Sequence, residues 1–303
     1  MVKGKTWHHM KSKAVILILA IAGLILPTKV LGSDPPDDPR VKEIGRTTEK
    51  ELKLFISCSS ATVFIERGER EKMIVVEADP TNRNADQTSV EYEIRNRVGY
   101  ADITLGDEEG SDTKKGTFRL KSLDGGTWHV RLSDAVPISF DMKLGFGKGE
   151  IDLSDLQIKD FNLSSGASEV SLAFDDPNKS MIENVNIETG LSKFEGRNLG
   201  NANFKHFRFQ GGVGTYRLDF GGSITTEVDV DIELGMGVMT LIVPPDVGAK
   251  VYHEKSWVSR INCDKDFSPS TDNEYVTDNY NSASGKMNIR IDSGVGSIRV
   301  RRR

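Results

Sequence analysis

The chain has little cysteine, little proline and no long apolar run outside its N-terminal region. Of 303 residues, two are cysteine, Cys58 and Cys263, and ten are proline. No CxxC pair, GxSxG motif or phosphate loop occurs, and the five histidines (His8, His9, His129, His206, His253) have no metal-ligand spacing. No excess of positive charge is available for nucleic acid, because the net charge is −5. No amphipathic helix pattern of useful length follows the N-terminus, so the glycines of GGVG and GMG, which resemble nucleotide fingerprints, have no helix to follow them. These absences argue against nucleotide-dependent, metal-dependent and helical readings. No cofactor and no nucleic-acid partner is expected.

What is present begins with an address. Lys11 and Lys13 precede the apolar run Ala14 to Leu26, and a cleavage site with a small residue follows at Val30-Leu31-Gly32, before Ser33. A basic start, a short apolar run and a small residue at the cut define a secretory signal peptide, here residues 1–32, with Met1 or Met10 as the start. The run is shorter than the roughly 20 residues a membrane span needs. The expected mature protein is exported, to the periplasm or the cell surface, with no transmembrane span after cleavage. Residues 33–52, SDPPDDPRVKEIGRTTEKEL, are charged and proline-containing at their start, which predicts a linker.

From residue 53 the chain repeats a phrase. FRFQGGVGTYRLDF, residues 207–220, has apolar residues at Phe207 and Phe209, a glycine pair, then Tyr216 and Leu218. With one glycine as anchor, apolar residues lie five and three positions before it and four and six after it. Gly212 fits this template, as do Gly147, Gly166, Gly190, Gly235 and Gly294, with Ser59, Gly99 and Gly126 as weaker copies. Alternation of period two means strands with one buried face. A spacing of about two dozen residues means stacked repeats. The expected fold is a single-domain all-β solenoid over 53–303, with repeats of about 19–24 residues, apolar ladders inside and glycines at its corners. Residues 263–284, CDKDFSPSTDNEYVTDNYNSAS, interrupt the last step as a polar, mobile insert.

If the repeats stack in chain order, Cys58 and Cys263 lie about seven strand spacings apart, roughly 34 Å, far beyond disulfide reach. Both thiols should be unpaired. Six positions before the anchors stand Asp141, Asp160, Asn184, His206, Asp229 and Asn288. Asp141 and Asp160 are the one adjacent carboxylate pair, the arrangement a polysaccharide-cleaving coil enzyme would use, but an isolated pair is a weak catalytic signal and the column reads first as a solvated strand face. In the insert, Tyr275 and Tyr280 could contact a partner, with Asp272 and Glu274 beside them. The basic tail, Arg301 to Arg303, would discourage another chain from pairing with an open end.

The runs GKGEIDLSDLQIKDFNLSSGASEVSLAFDDPN, NLGNANF, GGVGTYRLDFGG and GMGVMTLIVPPDVG resemble the toast-rack domain family, which is related to cell-wall-active-antibiotic-response proteins and adhesin-like domains. The resemblance covers residues 138–250 and, more loosely, 90–303. It implies a β-solenoid of the bacterial envelope and brings no catalytic residues. The chain lacks the multi-span segment of membrane-bound members. The expected function is non-enzymatic: a scaffold or adhesin-like surface for an envelope protein or glycan, with self-association through open solenoid ends. The alternatives are the cleaving enzyme using Asp141 and Asp160, and an accessory sensor of envelope stress.

Overall fold

A strand that buries one face needs alternating apolar side chains, and the burial pattern follows that alternation along each half of the long strands. The computed structural model describes residues 38, 40–82, 85–106, 125–254 and 257–303. The signal peptide expected at 1–32 lies outside them. The strands are β1 (Val41–Gly45), β2 (Glu51–Arg67), β3 (Lys72–Ala78), β4 (Ser89–Arg95), β5 (Val98–Leu105), β6 (Thr127–Leu132), β7 (Ile138–Asp152) and β8 (Ile158–Ala173). They continue with β9 (Ile182–Arg197), β10 (Phe204–Asp219), β11 (Glu227–Val243), β12 (Gly248–His253), β13 (Ser259–Cys263), β14 (Phe267–Pro269), β15 (Glu274–Thr277) and β16 (Lys286–Arg302). Helix among the described residues is limited to short 3-10 turns such as Ala85–Gln87 and Leu199–Ala202. The chain is all-β, and its strands join in one open sheet.

The long strands β2, β7, β8, β9, β10, β11 and β16 pair parallel, each with the next, over nearly their whole length. Inward residues therefore stack like on like. Phe207 follows Val185 and precedes Val230, and Tyr216 lies between Phe194 and Met239. Phe140 stacks on Phe161 at 5.3 Å, and Phe209 meets Phe194 at 5.3 Å and Tyr216 at 5.2 Å. The inward positions three before and four after each corner are seven apart. Seven is odd, so unbroken alternation cannot bury both, and each strand must change face once. It does so at the corner, where ladder pairing skips one residue.

That corner is Gly145 in β7, not Gly147. Leu144 pairs with Ser165 and Phe146 with Ala167, which sets Gly145 beside Gly166. A two-residue slip keeps every side chain on its own face, so alternation alone does not distinguish the two registers. A Cβ on Gly166 would lie 2.4 Å from the carbonyl oxygen of Gly145, closer than any real contact. Gly99 is not a corner either. It follows a tight hairpin turn in which Asn96 and Arg97 both take positive φ, and it pairs with Leu52 and Ile94. The corner of that layer is Gly106, with φ +80°, just after the Leu105 that pairs with Cys58. β5 and β6 are thus two halves of one layer, lying along the first and second halves of β2.

Stacking departs from chain order at both ends. β2 lies inside, between β5/β6 and β7, and β16 lies inside, between β11 and β12/β13. β2 and β13 are still seven steps apart, and both Cys58 and Cys263 are free thiols. Short antiparallel strands cover most of both ends: β3 on β6 with β1 beyond it, β4 on β5, and β15 on β12 with β14 beyond it, while β13 pairs only with β16 among the described residues. Short, irregular edges of this kind resist further pairing, which leaves the five-residue β13 as the uncovered parallel edge among the described strands.

Three further expectations change. The segment 33–52 contains β1 and the start of β2. The 263–284 insert is partly built, as the hairpin of β14 and β15. The basic tail does not guard an edge. Arg302 turns inward, and its guanidinium donates to the carbonyls of Pro244, Pro245 and Val247 at 2.6–2.7 Å.

Candidate interaction surface

The face change at each corner sets one position outward where the pattern would otherwise turn it in. One residue past the corner, the six successive strands from β7 to β16 present Phe146, Ala167, Leu191, Val213, Met236 and Val295, each paired with the next. Leu191 is 64% exposed, and Phe146, Val213, Met236 and Val295 lie between 41% and 50%. The result is an apolar stripe running across the strands, one residue per strand, at the roughly 4.8 Å strand spacing. Scattered exposed apolar residues are ordinary; a contiguous row marks contact.

Beside the stripe runs a groove of about 780 Å³ along the corner glycines Gly145, Gly166, Gly190, Gly212 and Gly235. With no side chains there, the backbone forms its floor. Its far wall is the column two residues before the corner: Lys143, Ser164, Glu188, Gln210, Glu233 and Asp292. Gln210 donates to Glu233 at 2.7 Å and Arg208 donates to it at 2.9 Å, which holds that carboxyl below its usual range. The groove offers amide, hydroxyl and carboxylate groups on a flat track.

Asp141 and Asp160 do not share a column. Asp141 pairs with Asn162, while Asp160 pairs with Ser139 and accepts its hydroxyl at 2.7 Å. The two carboxylates are diagonal neighbours, and the misplaced Gly147 corner is what had aligned them. Among the described residues, no group of three or more His, Cys, Asp or Glu is placed to hold a metal.

In the C-terminal hairpin, Asp272 is exposed and Glu274, Tyr275 and Tyr280 are half-exposed. Tyr275 packs partly on the core and pairs with Val251. The Tyr280 hydroxyl donates to Asn288 at 2.8 Å, and its ring carries Lys250 Nζ at 4.9 Å and Lys286 Nζ at 5.6 Å. Cys58 and Cys263 are poor nucleophiles, because burial pushes both thiols up to about 12.

One buried polar cluster was not legible in the sequence. His253 is buried, with Nε2 3.2 Å from Ser259 Oγ and 3.1 Å from Ser293 Oγ, and the two hydroxyls bond each other. Its Nδ1 has no hydrogen-bond partner among the described residues. Burial lowers its pKa, while Asp292 pulls it the other way. The unfolded chain therefore takes up this proton first as pH falls. Stability from His253 is complete above its ordinary value of about 6.5 and falls away as acidification continues toward the lower folded value. Thermal melts from pH 7.5 to 5 should show Tm falling with acid, and His253→Gln should flatten that slope. An unchanged slope would remove His253 as its source.

The fold is an open all-β sheet of stacked long strands carrying a repeated surface track. No helix among the described residues is long and apolar enough to cross a membrane. Residues 36–195 match the N-terminal domain of toast_rack, DUF2154, over more than half of the chain, and the protein belongs to that family. No curated protein matches. Among solved structures, a candidate cell adhesion protein from Clostridium sporogenes is similar at 18% identity and a TM-score of 0.45, over 87% of this chain and 98% of its own. A candidate adhesin from Bacteroides fragilis is similar at 12% identity and 0.31, over 86% and 95%. A candidate lipid-binding protein from Parabacteroides distasonis is similar at 9% identity and 0.25, over 87% and 96%.

Proposed function

We propose that this is an exported, non-enzymatic β-solenoid of the cell envelope, in the periplasm or at the cell surface, that serves as an adhesin-like scaffold for a protein or glycan. The observation that carries this is the in-register parallel pairing of seven long strands bent at aligned corners. It gives a stack whose outer face repeats at each strand, a design suited to extended ligands. Toast-rack membership supports the same reading. The C-terminal hairpin and the turn after it, with Asp272, Glu274, Tyr275 and Tyr280, are the proposed binding end, because they lie beside the last layer and combine partly exposed aromatic and acidic groups.

The test is saturable binding to isolated cell-wall glycan and to purified envelope proteins, with the charge-reversed hairpin D272K/E274K as comparison. Binding to one class, weakened about tenfold in the variant, supports the proposal; tenfold corresponds to about 1.4 kcal/mol. Absence of saturable binding to either class would overturn it. Release of reducing ends from polysaccharide, abolished by D141N and D160N, would replace it with the enzyme reading.

A further inference from the structure

We propose that the apolar stripe is the contact between two copies of this chain, seated antiparallel about a two-fold axis that runs along the strands between β9 and β10. The inference does not depend on export or on any ligand.

Three observations select a second copy. The first is size. Antiparallel seating sets β7 on β16, β8 on β11 and β9 on β10 of the second copy. The stripe then meets itself as Phe146 on Val295, Ala167 on Met236 and Leu191 on Val213, and each larger side chain faces a smaller one. The second is charge. The neighbouring column reads Lys143, Ser164, Glu188, Gln210, Glu233, Asp292 along the stack, basic at one end and acidic at the other. Reversed on itself, it pairs Lys143 with Asp292, Ser164 with Glu233 and Glu188 with Gln210. No like charges meet in that column, and the arrangement is self-complementary, as a two-fold contact requires. The third is period. Both copies repeat at the same roughly 4.8 Å strand spacing, so side chains stay matched along the full stripe. A lipid surface has no such period. Glu188, Glu233 and Asp292 along the groove leave no cationic excess to draw the face to anionic headgroups.

The stripe also sets the strength. It crosses five strand spacings, about 24 Å, and a width of roughly 10–15 Å gives about 300 Å² per copy, below the ~800 Å² of a stable contact. The dimer should form on the order of 100 μM, and more readily where copies are concentrated on a surface.

Sedimentation velocity of the full chain from about 10 μM to 1 mM tests this. The expected result is monomer at the low end and dimer at the high end. Leu191→Glu, on an already exposed side chain, should leave the circular dichroism spectrum and Tm unchanged and weaken the dimer about tenfold or more. Lys143→Asp and Asp292→Lys should each weaken it, and the double swap should restore it, because each change is met by the other across the two-fold. A chain that stays monomeric throughout overturns the proposal. So does a dimer indifferent to Leu191→Glu, or one that the double swap fails to restore.

Discussion

Phe209→Ala is expected to cost about 3–5 kcal/mol. Phe209 is fully buried in β10, touching the rings of Phe194 and Tyr216. Its ladder neighbours are Ile187 before it and Ile232 after it. The strands on both sides are fixed by backbone hydrogen bonds to β10, so the walls of the cavity have little freedom to close. The cost therefore belongs near the top of the range for aromatic truncations. Chemical denaturation should show a lower midpoint at unchanged slope, and Tm should fall by roughly 6–20 °C at about 2–4 °C per kcal/mol. Phe209→Leu keeps most of the volume and should cost less than half as much. Equal losses for the two variants would mean that the ladder does not pack at Phe209 as described.

Gly147→Ala carries the other large effect. Gly147 has φ +116°, a region costly for any residue with a Cβ, and a Cβ there would lie 2.0 Å from the carbonyl oxygen of Ala61 on β2. The backbone strain alone is worth about 1–3 kcal/mol. The clash falls on a backbone atom of the next strand, which cannot rotate aside, so β2 and β7 must part locally. A total of about 3–5 kcal/mol is expected from equilibrium unfolding. The control is Ser168→Ala, in the same column one strand on. Ser168 already carries a Cβ there, and its hydroxyl is buried without a partner among the described residues. Its removal should be neutral or slightly stabilising. A neutral Gly147→Ala would show that β7 does not need glycine two residues past its corner.

Much of the fold is legible in the sequence because alternation reports which face a side chain takes. Leu54, Ile56, Val63 and Ile65 are buried as the template around Ser59 predicts, and so are Phe207, Phe209, Tyr216 and Leu218 around Gly212. Register is less legible. Gly145 and Gly147 both satisfy a period of two, and only the neighbouring backbone distinguishes them. Layer order is not legible at the ends, because nothing local in Val98–Leu105 or Thr127–Leu132 says that they stack outside β2 and not after it. The apolar stripe was partly visible. Ala167, Leu191, Val213, Met236 and Val295 each follow an anchor glycine, but with the corner set at Gly147 the residue in line is Lys148, which conceals Phe146. The His253 cluster gave no local signal, since Ser259 and Ser293 come from different strands. The acidic column failed for the register reason alone, since correcting one corner separates Asp141 from Asp160.

The placement of β16 has a consequence for assembly in time. β12 and β13 come before β16 in the chain, yet both rest on β16 and not on β11. As a chain emerges N-terminus first, each strand from β7 to β11 can dock on the one already waiting. At β12 this rule stops. The residues from Gly248 to Gly285 must remain undocked until Lys286–Arg302 arrives and fills the place between them and β11. The C-terminal layer is thus a clasp, closed by a strand made after the parts it holds, and it should be the slowest and most easily interrupted step of folding.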